Sequence, residues 1–427
     1  MWQLSLSQLS LAKLPRPDWG MAFLFITSLV FASCGQPITT ETMHNRPASE
    51  LLGNPDFPAI CYGGYRGMSR SEQPTIAQLK NDLRILHALG IRFVRTYNVH
   101  LPHAGNVVKA IHELQQEDSG FEMYVMLGAW IDCAGAWTDA PNHAEQNLDA
   151  NREEVNRAVS LAQEFPEIIK VIAVGNEAMV HWAASYFVAP KVILQWVNHL
   201  QALKAKGSLP QGLWITSSDN FASWGGGGPE YHNADLDSLI RAVDYVSMHT
   251  YPFHDTHYNP VFWKPEEAEE DSILERAMER ALDYSKNQYD QVVKYVQRVD
   301  PNKPVHIGET GWASLSDGFY GPEGSRAADE YKQALFYHGM REWTQSAGIS
   351  CFYFEAFDEP WKSAGNPTDS ENHFGLFTAE GEAKYALWPQ VERGEFSGYS
   401  RGDGQPIRST YGGQRELLNR HVLFPAQ

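Results

Sequence analysis

Positive charge, cysteine and long apolar runs are all scarce here, and each shortage removes a class of protein. Lysine and arginine total 34 against 52 aspartates and glutamates, a formal net charge of -18. Nucleic-acid binding rests on basic side chains that neutralise phosphates, so that class is excluded, and the same sign disfavours polyanionic substrates. There are only 4 cysteines, with no CxxC and no Cys/His pair at zinc spacing. The apolar stretch Met21–Ala32 falls short of the roughly 20 residues that a spanning helix needs. A phosphate-binding GxGxxG turn is missing as well. Tyr62–Gly63–Gly64–Tyr65 has glycines in another order, and the glycines at 225–228 read as a flexible loop.

Aromatic residues, by contrast, are plentiful: 12% of the chain, including 13 tryptophans. They suit both a core and sugar-stacking surfaces. At 427 residues with 43% hydrophobic content the chain can bury a large core, as two domains or one large α/β barrel. The N-terminus is different material. Lys13 and Arg16 precede the Met21–Ala32 stretch, and small residues follow it, which is the pattern of a secretory signal over 1–34. Phe31–Ala32–Ser33–Cys34–Gly35 is similar to a bacterial lipobox, with Cys34 as the lipidated residue and the mature protein anchored in the outer membrane or envelope. A simple cleaved signal with release to the periplasm or medium is the alternative. Residues 35–56 are polar and read as a tether. Cys61, Cys133 and Cys351 sit in or beside apolar runs, as buried thiols or with one disulfide among them.

From residue 57 onward short apolar runs alternate with amphipathic segments. The runs are 59–65, 91–97, 122–130, 170–177, 213–219, 243–251, 304–312 and 349–357. Such alternation argues for β/α units and a parallel sheet, and eight units make a (β/α)8 TIM barrel, a single catalytic domain over 57–389. Segment 74–89 places Ile76, Leu79, Leu83 and Leu86 at helical spacing, and Gly90 suits the helix end. Between the sixth and seventh runs lies a long excursion whose Glu266, Glu267, Glu269, Glu270 and Asp271 read as a solvated acidic face. Residues 390–427 are expected to pack loosely as a C-terminal extension.

In such barrels the reacting groups sit at the carboxyl ends of the strands. Those ends hold Tyr62 to Tyr65, then Arg95, Tyr97 and Asn98, then Asn176 and Glu177, His249, Tyr251 and Phe253, Glu309 and Trp312, and finally Glu355, Asp358 and Glu359. Convergent hydrogen-bonding groups and aromatic rings are what a carbohydrate cleft requires. Glu177 and Glu309 each close an apolar run beside a glycine, on the fourth and seventh runs, which face each other across an eight-stave ring. Glycosidic cleavage needs one carboxylic acid to protonate the leaving oxygen and a second carboxylate at the oxocarbenium-like centre. A rim ion pair is the competing reading of both acids. His249, His254 and His257 lack a carboxylate at matching helical spacing, so no metal is expected.

The motifs VGNEAM (174–179) and HIGETGWAS (306–314), in that order, resemble those of glycoside hydrolase family 17. YGGYRG, VRTYN, HTYPF and FYFEAFDEPWK followed by ENHFGLF extend the resemblance from about 57 to 380. It implies that Glu177 is the general acid/base, that Glu309 is the nucleophile and that Asn176 bonds the sugar 2-hydroxyl. It also implies a retaining hydrolase acting on β-1,3-glucan, with a transglycosylase using the same acids, or a non-catalytic glucan-binding lipoprotein, as alternatives. Arg95 and Tyr251 are the candidate donors to Glu309. Tyr62, Tyr97, Trp312, Phe357 and Trp361 are candidate sugar-contacting rings. Glu355, Asp358, Glu359 and Glu371 are candidate hydroxyl partners or orienters, and Asn98 stands with them at the rim. The acid is expected in a drier setting than the nucleophile, which should lie among donors. The chemistry calls for no cofactor. The expected partner is a polysaccharide, the membrane is met only through a lipid anchor, and the chain is expected to be a monomer.

Overall fold

The computed structural model describes residues 46–265, 272–402 and 404–425. The signal segment, Cys34, most of the tether and the acidic stretch 266–271 lie outside the described residues.

Eight parallel strands close into a barrel. In chain order the strands are β1 (Ala59–Cys61), β2 (Phe93–Arg95), β3 (Tyr124–Ala129), β4 (Cys133–Ala134), β5 (Asn142–Gln146), β6 (Ile169–Asn176), β7 (Trp214–Asn220), β8 (Val246–His249), β9 (Val305–Gly311) and β10 (Cys351–Phe354). The ring runs β1-β10-β9-β8-β7-β6-β3-β2, while β4 and β5 form a separate antiparallel hairpin. This is the (β/α)8 architecture, and β6 and β9 are its fourth and seventh staves. The staves are continuous apolar runs because both of their faces are covered, the inner by the barrel core and the outer by helices. Val171, Ile172, Ala173 and Val174 of β6 are all buried.

The helices begin where local chemistry lets them. Thr75 caps the helix Ile76–Ala88 by accepting from Gln78, whose side chain returns the bond, and Leu79, Leu83 and Leu86 form its buried face. Asn233 and Asp329 cap the helices Ala234–Ala242 and Glu330–Ser346 by accepting from the Leu236 and Lys332 amides. The excursion after β8 contains the helix Pro252–Tyr258 and leads into the long helix Ile273–Val299.

The segment 132–147 carries the β4–β5 hairpin. Three expectations change. The last residues of the supposed tether are packed: the helix Ala48–Leu51 buries Ala48 and Leu51, and the Ala48 amide donates to the Gly212 carbonyl at 2.8 Å. Residues from 390 onward are integral too. Phe396, Ile407 and Leu418 are buried, and the Arg401 guanidinium lies 4.0 Å over the Phe357 ring and 3.4 Å from Asp82. The glycines at 225–228 form a packed turn, where a side chain at Gly225 (φ +89) would collide with the Tyr295 ring. Cys61, Cys133 and Cys351 are free and buried, so the disulfide alternative falls away. Among the described residues no helix is long and apolar enough to cross a membrane.

Candidate active site

Glu309 lies inside β9, buried to 7% exposure, and both of its carboxylate oxygens are held. Oε2 accepts from Arg95 Nη1 at 2.5 Å and from the Tyr97 hydroxyl at 3.0 Å, and Oε1 accepts from the Tyr251 hydroxyl at 2.6 Å. Arg95 comes from the end of β2, where it is fully buried. Its Nη1 also donates to the Gly308 carbonyl at 2.8 Å and its Nη2 to Asn176 Oδ1 at 2.5 Å. One guanidinium therefore ties staves two, four and seven together. Gly308 leaves room for the barrel interior behind it, since a side chain there would strike the hydroxyls of Ser247 and Ser218. Burial by itself would push the Glu309 carboxyl up. The electrostatic influence of His249 and Arg95 and the hydrogen bonds from Tyr251 and Tyr97 outweigh it, and hold the carboxyl below its ordinary value. Burial in turn raises both phenols, Tyr97 and Tyr251, so they stay protonated as donors.

Glu177 follows β6 in different company. The chain turns at Gly175 (φ +82) and again at Glu177 itself (φ +46), a left-handed conformation unusual for a residue with a side chain. The Glu177 amide donates to the Ser218 carbonyl at 3.0 Å, which fixes the turn against β7. Its Oε1 lies 3.1 Å from His249 Nδ1, and the other ring nitrogen of that buried histidine is 2.8 Å from the Ser218 hydroxyl. The Glu177 side chain is 26% exposed against 9% for Glu309. The expected contrast in dryness is thus reversed, because β6 ends at Asn176 and the left-handed turn at Glu177 lifts its side chain toward the open cleft. What separates the two acids is their donors: Glu309 has a guanidinium and two phenols, and Glu177 a single imidazole.

Two cavities meet at Glu309 and Phe354. One, of about 690 Å3, runs past Asn176, Tyr97 and Asn98 to Trp130, Trp137 and Trp361. The other, of about 670 Å3, runs past Glu177 and Tyr251 to Trp182, Tyr258 and Glu371. Together they form a cleft that continues on both sides of the carboxylate pair. Exposed rings stand at its two ends, Trp137 at 62% and Trp182 at 61% exposure. Such a trough has the form a polymer chain requires, with rings for the apolar sugar faces and amides and carboxylates for the hydroxyls.

Comparison with known proteins agrees with this geometry. Residues 59–375 match the BtgE/BtgC glycoside hydrolase domain. The chain belongs to this family. The glycoside hydrolase superposes on the crystal structure of an endo-laminarinase from Formosa Hel1_33_131 with a TM-score of 0.87 and 60% identity, over 89% of this chain and 97% of that one. A glucan 1,3-beta-glucosidase of Arthroderma benhamiae is 27% identical over 284 residues, 63% of this chain and 72% of that protein. A probable glucan endo-1,3-beta-glucosidase of Aspergillus terreus is 24% identical over 343 residues, 75% of this chain but only 44% of the longer fungal protein. A family 17 β-1,3-glucanosyltransferase of Rhizomucor miehei, at 21% identity and a TM-score of 0.55 over 78% of this chain and 96% of that one, shares the fold.

The hydrolase distributes its sequence-nominated residues unevenly. Glu177, Glu309, Asn176, Arg95, Tyr97, Asn98, Tyr251, Glu359, Trp361 and Glu371 all touch or border the cleft. Four others do not fit direct sugar contact. Tyr62 is fully buried, and its hydroxyl donates to Asp82 at 3.0 Å behind β1. Trp312 is fully buried against Phe253, Trp263 and Phe336, with its indole nitrogen donating to the Ala327 carbonyl. Phe357 is buried beneath Arg401. Asp358 receives Lys384 Nζ and the Gly375 amide, both on one oxygen, so it braces the wall. In each case the side chain points from the strand end into the packing between barrel and covering loops. Glu355 is buried as well, and it accepts from Lys362 Nζ at 2.6 Å. Lys362, Trp130 and Trp137 also line the cleft without a sequence signal that marks them. Trp137 sits on the β4–β5 hairpin, and Asp219 is the last residue of the run 213–219.

Arg95, with His249, is one of the two charged groups that hold Glu309 low, so replacing it moves the carboxyl in a defined direction. A carboxyl depressed in the folded state contributes stability at neutral pH that is lost as the pH falls through its folded value. In an Arg95→Met variant the Glu309 pKa, followed by 13C NMR with Glu309→Gln as the assignment control, is expected to rise above that of the parent. An unchanged value would contradict the network described.

Proposed function

We propose that the chain is a retaining hydrolase of β-1,3-glucan in which Glu309 is the nucleophile and Glu177 the acid/base. The observation that carries this is the unlike treatment of the two acids at one cleft: Glu309 is fixed and kept ionised by Arg95, Tyr97 and Tyr251, while Glu177 stands partly exposed with one imidazole. An ionised carboxylate that cannot leave its position suits attack at carbon, and a more accessible one suits proton exchange with leaving group and water. The substrate class is supported by the Formosa protein, described as an endo-laminarinase.

In the first step a Glu309 oxygen bonds to the anomeric carbon as the glycosidic bond breaks. Glu177 gives its proton to the departing sugar oxygen, leaving a covalent glycosyl-enzyme. In the second, Glu177 takes a proton from an incoming water, whose oxygen displaces Glu309. Asn176 is oriented for the 2-hydroxyl: Arg95 occupies its Oδ1, which leaves its Nδ2 to face the cavity. Transglycosylation is the second reading, favoured by the exposed Trp182 and Tyr258 beside Glu177, where an acceptor sugar would stand in place of water. Export, with Cys34 as the lipid-bearing residue and the folded chain acting as a monomer, completes the proposal.

Three variants test it. Glu309→Ala should lower turnover of laminarin-type glucan at least about a thousandfold with binding kept. Glu177→Ala should cost about 10²- to 10⁴-fold on glucan and much less on an aryl glycoside whose leaving group needs no proton. Retention of activity by Glu309→Ala would leave only a glucan-binding protein, and products longer than the substrate would favour transfer over hydrolysis. A Cys34→Ser variant should move the protein from the membrane fraction to the soluble fraction. An unchanged membrane fraction would contradict the anchor.

A further inference from the structure

Asp219, the residue before the end of β7, is fully buried, yet among the described residues no cation lies within ion-pairing distance of it. The other buried acids near the rim are compensated differently: Glu309 by Arg95, Glu355 by Lys362, Asp358 by Lys384. Burying a carboxylate without a cation is costly, so the position calls for a reason. Asp219 Oδ2 accepts the Met179 amide at 2.7 Å and Oδ1 accepts the Asn220 amide at 2.8 Å. Met179 lies two residues past Glu177, on the far side of the left-handed turn. The Asp219 carboxyl therefore holds one end of the turn that presents Glu177, while the Ser218 carbonyl holds the other.

Facing Asp219 are Glu177 at the end of β6, Tyr186 from the loop beyond, and Tyr231 of the short turn Pro229–Tyr231; His249 of β8 stands on Glu177. Burial first and the Glu177 charge second push the Asp219 carboxyl up to about 7, against the opposing pull of the Met179 amide, the Ser223 hydroxyl and the Asn220 amide.

Resting on the reading of Glu177 as the acid/base, we propose that Asp219 is a positioning residue for proton transfer, which fixes the left-handed turn that presents Glu177. Asp219 is sealed from the cleft and touches no substrate.

Asp219→Leu, which keeps the bulk and removes both acceptors of the Met179 and Asn220 amides, provides the test, with Asp219→Asn, which keeps one acceptor oxygen, as the conservative variant. In Asp219→Leu, kcat/KM on laminarin is expected to fall about tenfold or more, part of the usual worth of general acid catalysis, and Asp219→Asn should recover part of that loss. On a dinitrophenyl β-laminaribioside, whose leaving group departs unprotonated, Asp219→Leu should cost less than about threefold. The ratio of the two kcat/KM values does not depend on how much of the variant is folded, so partial misfolding leaves the readout intact. Equal losses on both substrates, or no loss on either, would overturn the inference. Glu177→Ala, run alongside, separates the two levels: if it shows no leaving-group dependence the acid assignment itself fails, and if it does while Asp219→Leu does not, only the role of Asp219 fails.

Discussion

The site depends on one buried cation. Arg95 spends its two terminal nitrogens on three acceptors from two other staves: the Glu309 carboxylate, the Gly308 carbonyl and the Asn176 side chain. A guanidinium suits this task because its donors are fixed in a planar fork, which a lysine ammonium does not offer. Together with His249, the same contact offsets the burial of Glu309 and keeps that acid charged, and it occupies Asn176 Oδ1. Tyr97 and Tyr251 complete the carboxylate's coordination, and Arg95 itself lies 4.8 Å from the Tyr97 ring centre. The placement of Glu309 and of Asn176 at this rim depends on that one side chain.

Around this centre the barrel supplies asymmetry. β9 keeps Glu309 within the strand, where neighbours on both sides immobilise it, whereas β6 ends and turns before Glu177 is reached. Two carboxylates on one scaffold thereby acquire different exposure and different partners, which is how a single fold separates the two roles that glycoside cleavage needs. The C-terminal segment reinforces the opposite wall. Arg401 reaches Asp82 and covers Phe357, and Arg66 joins Asp82 to the Arg401 carbonyl beneath the loop that carries Tyr65.

Much of this was legible in the sequence because strand ends are conspicuous. Apolar runs broken by Asn176–Glu177 and by Glu309 announced both the stave count and the two acids, and the helix at 74–89 declared itself by spacing. What escaped was decided by direction rather than by identity. Tyr62 and Trp312 stand at strand ends as the cleft residues do, but their side chains turn into the packing, and period alone does not reveal that turn. The hairpin with Trp137 escaped because polar residues such as those at 142–146 give no alternating apolar signal. Phe396 and Ile407 are isolated apolar letters, and Leu418 follows only Leu417, in a Gly- and Arg-rich segment, so their joint burial follows from tertiary contacts alone.

The central claim is that Glu309 forms a bond to sugar. Incubation with a 2-deoxy-2-fluoro β-laminaribioside bearing a good leaving group slows the second step and lets the covalent species accumulate. Peptide mass mapping should then find one fluorosugar on Glu309, in the segment His306–Trp312, and none on Glu177. Labelling of any other residue, or turnover with inverted stereochemistry and no adduct, would contradict the account.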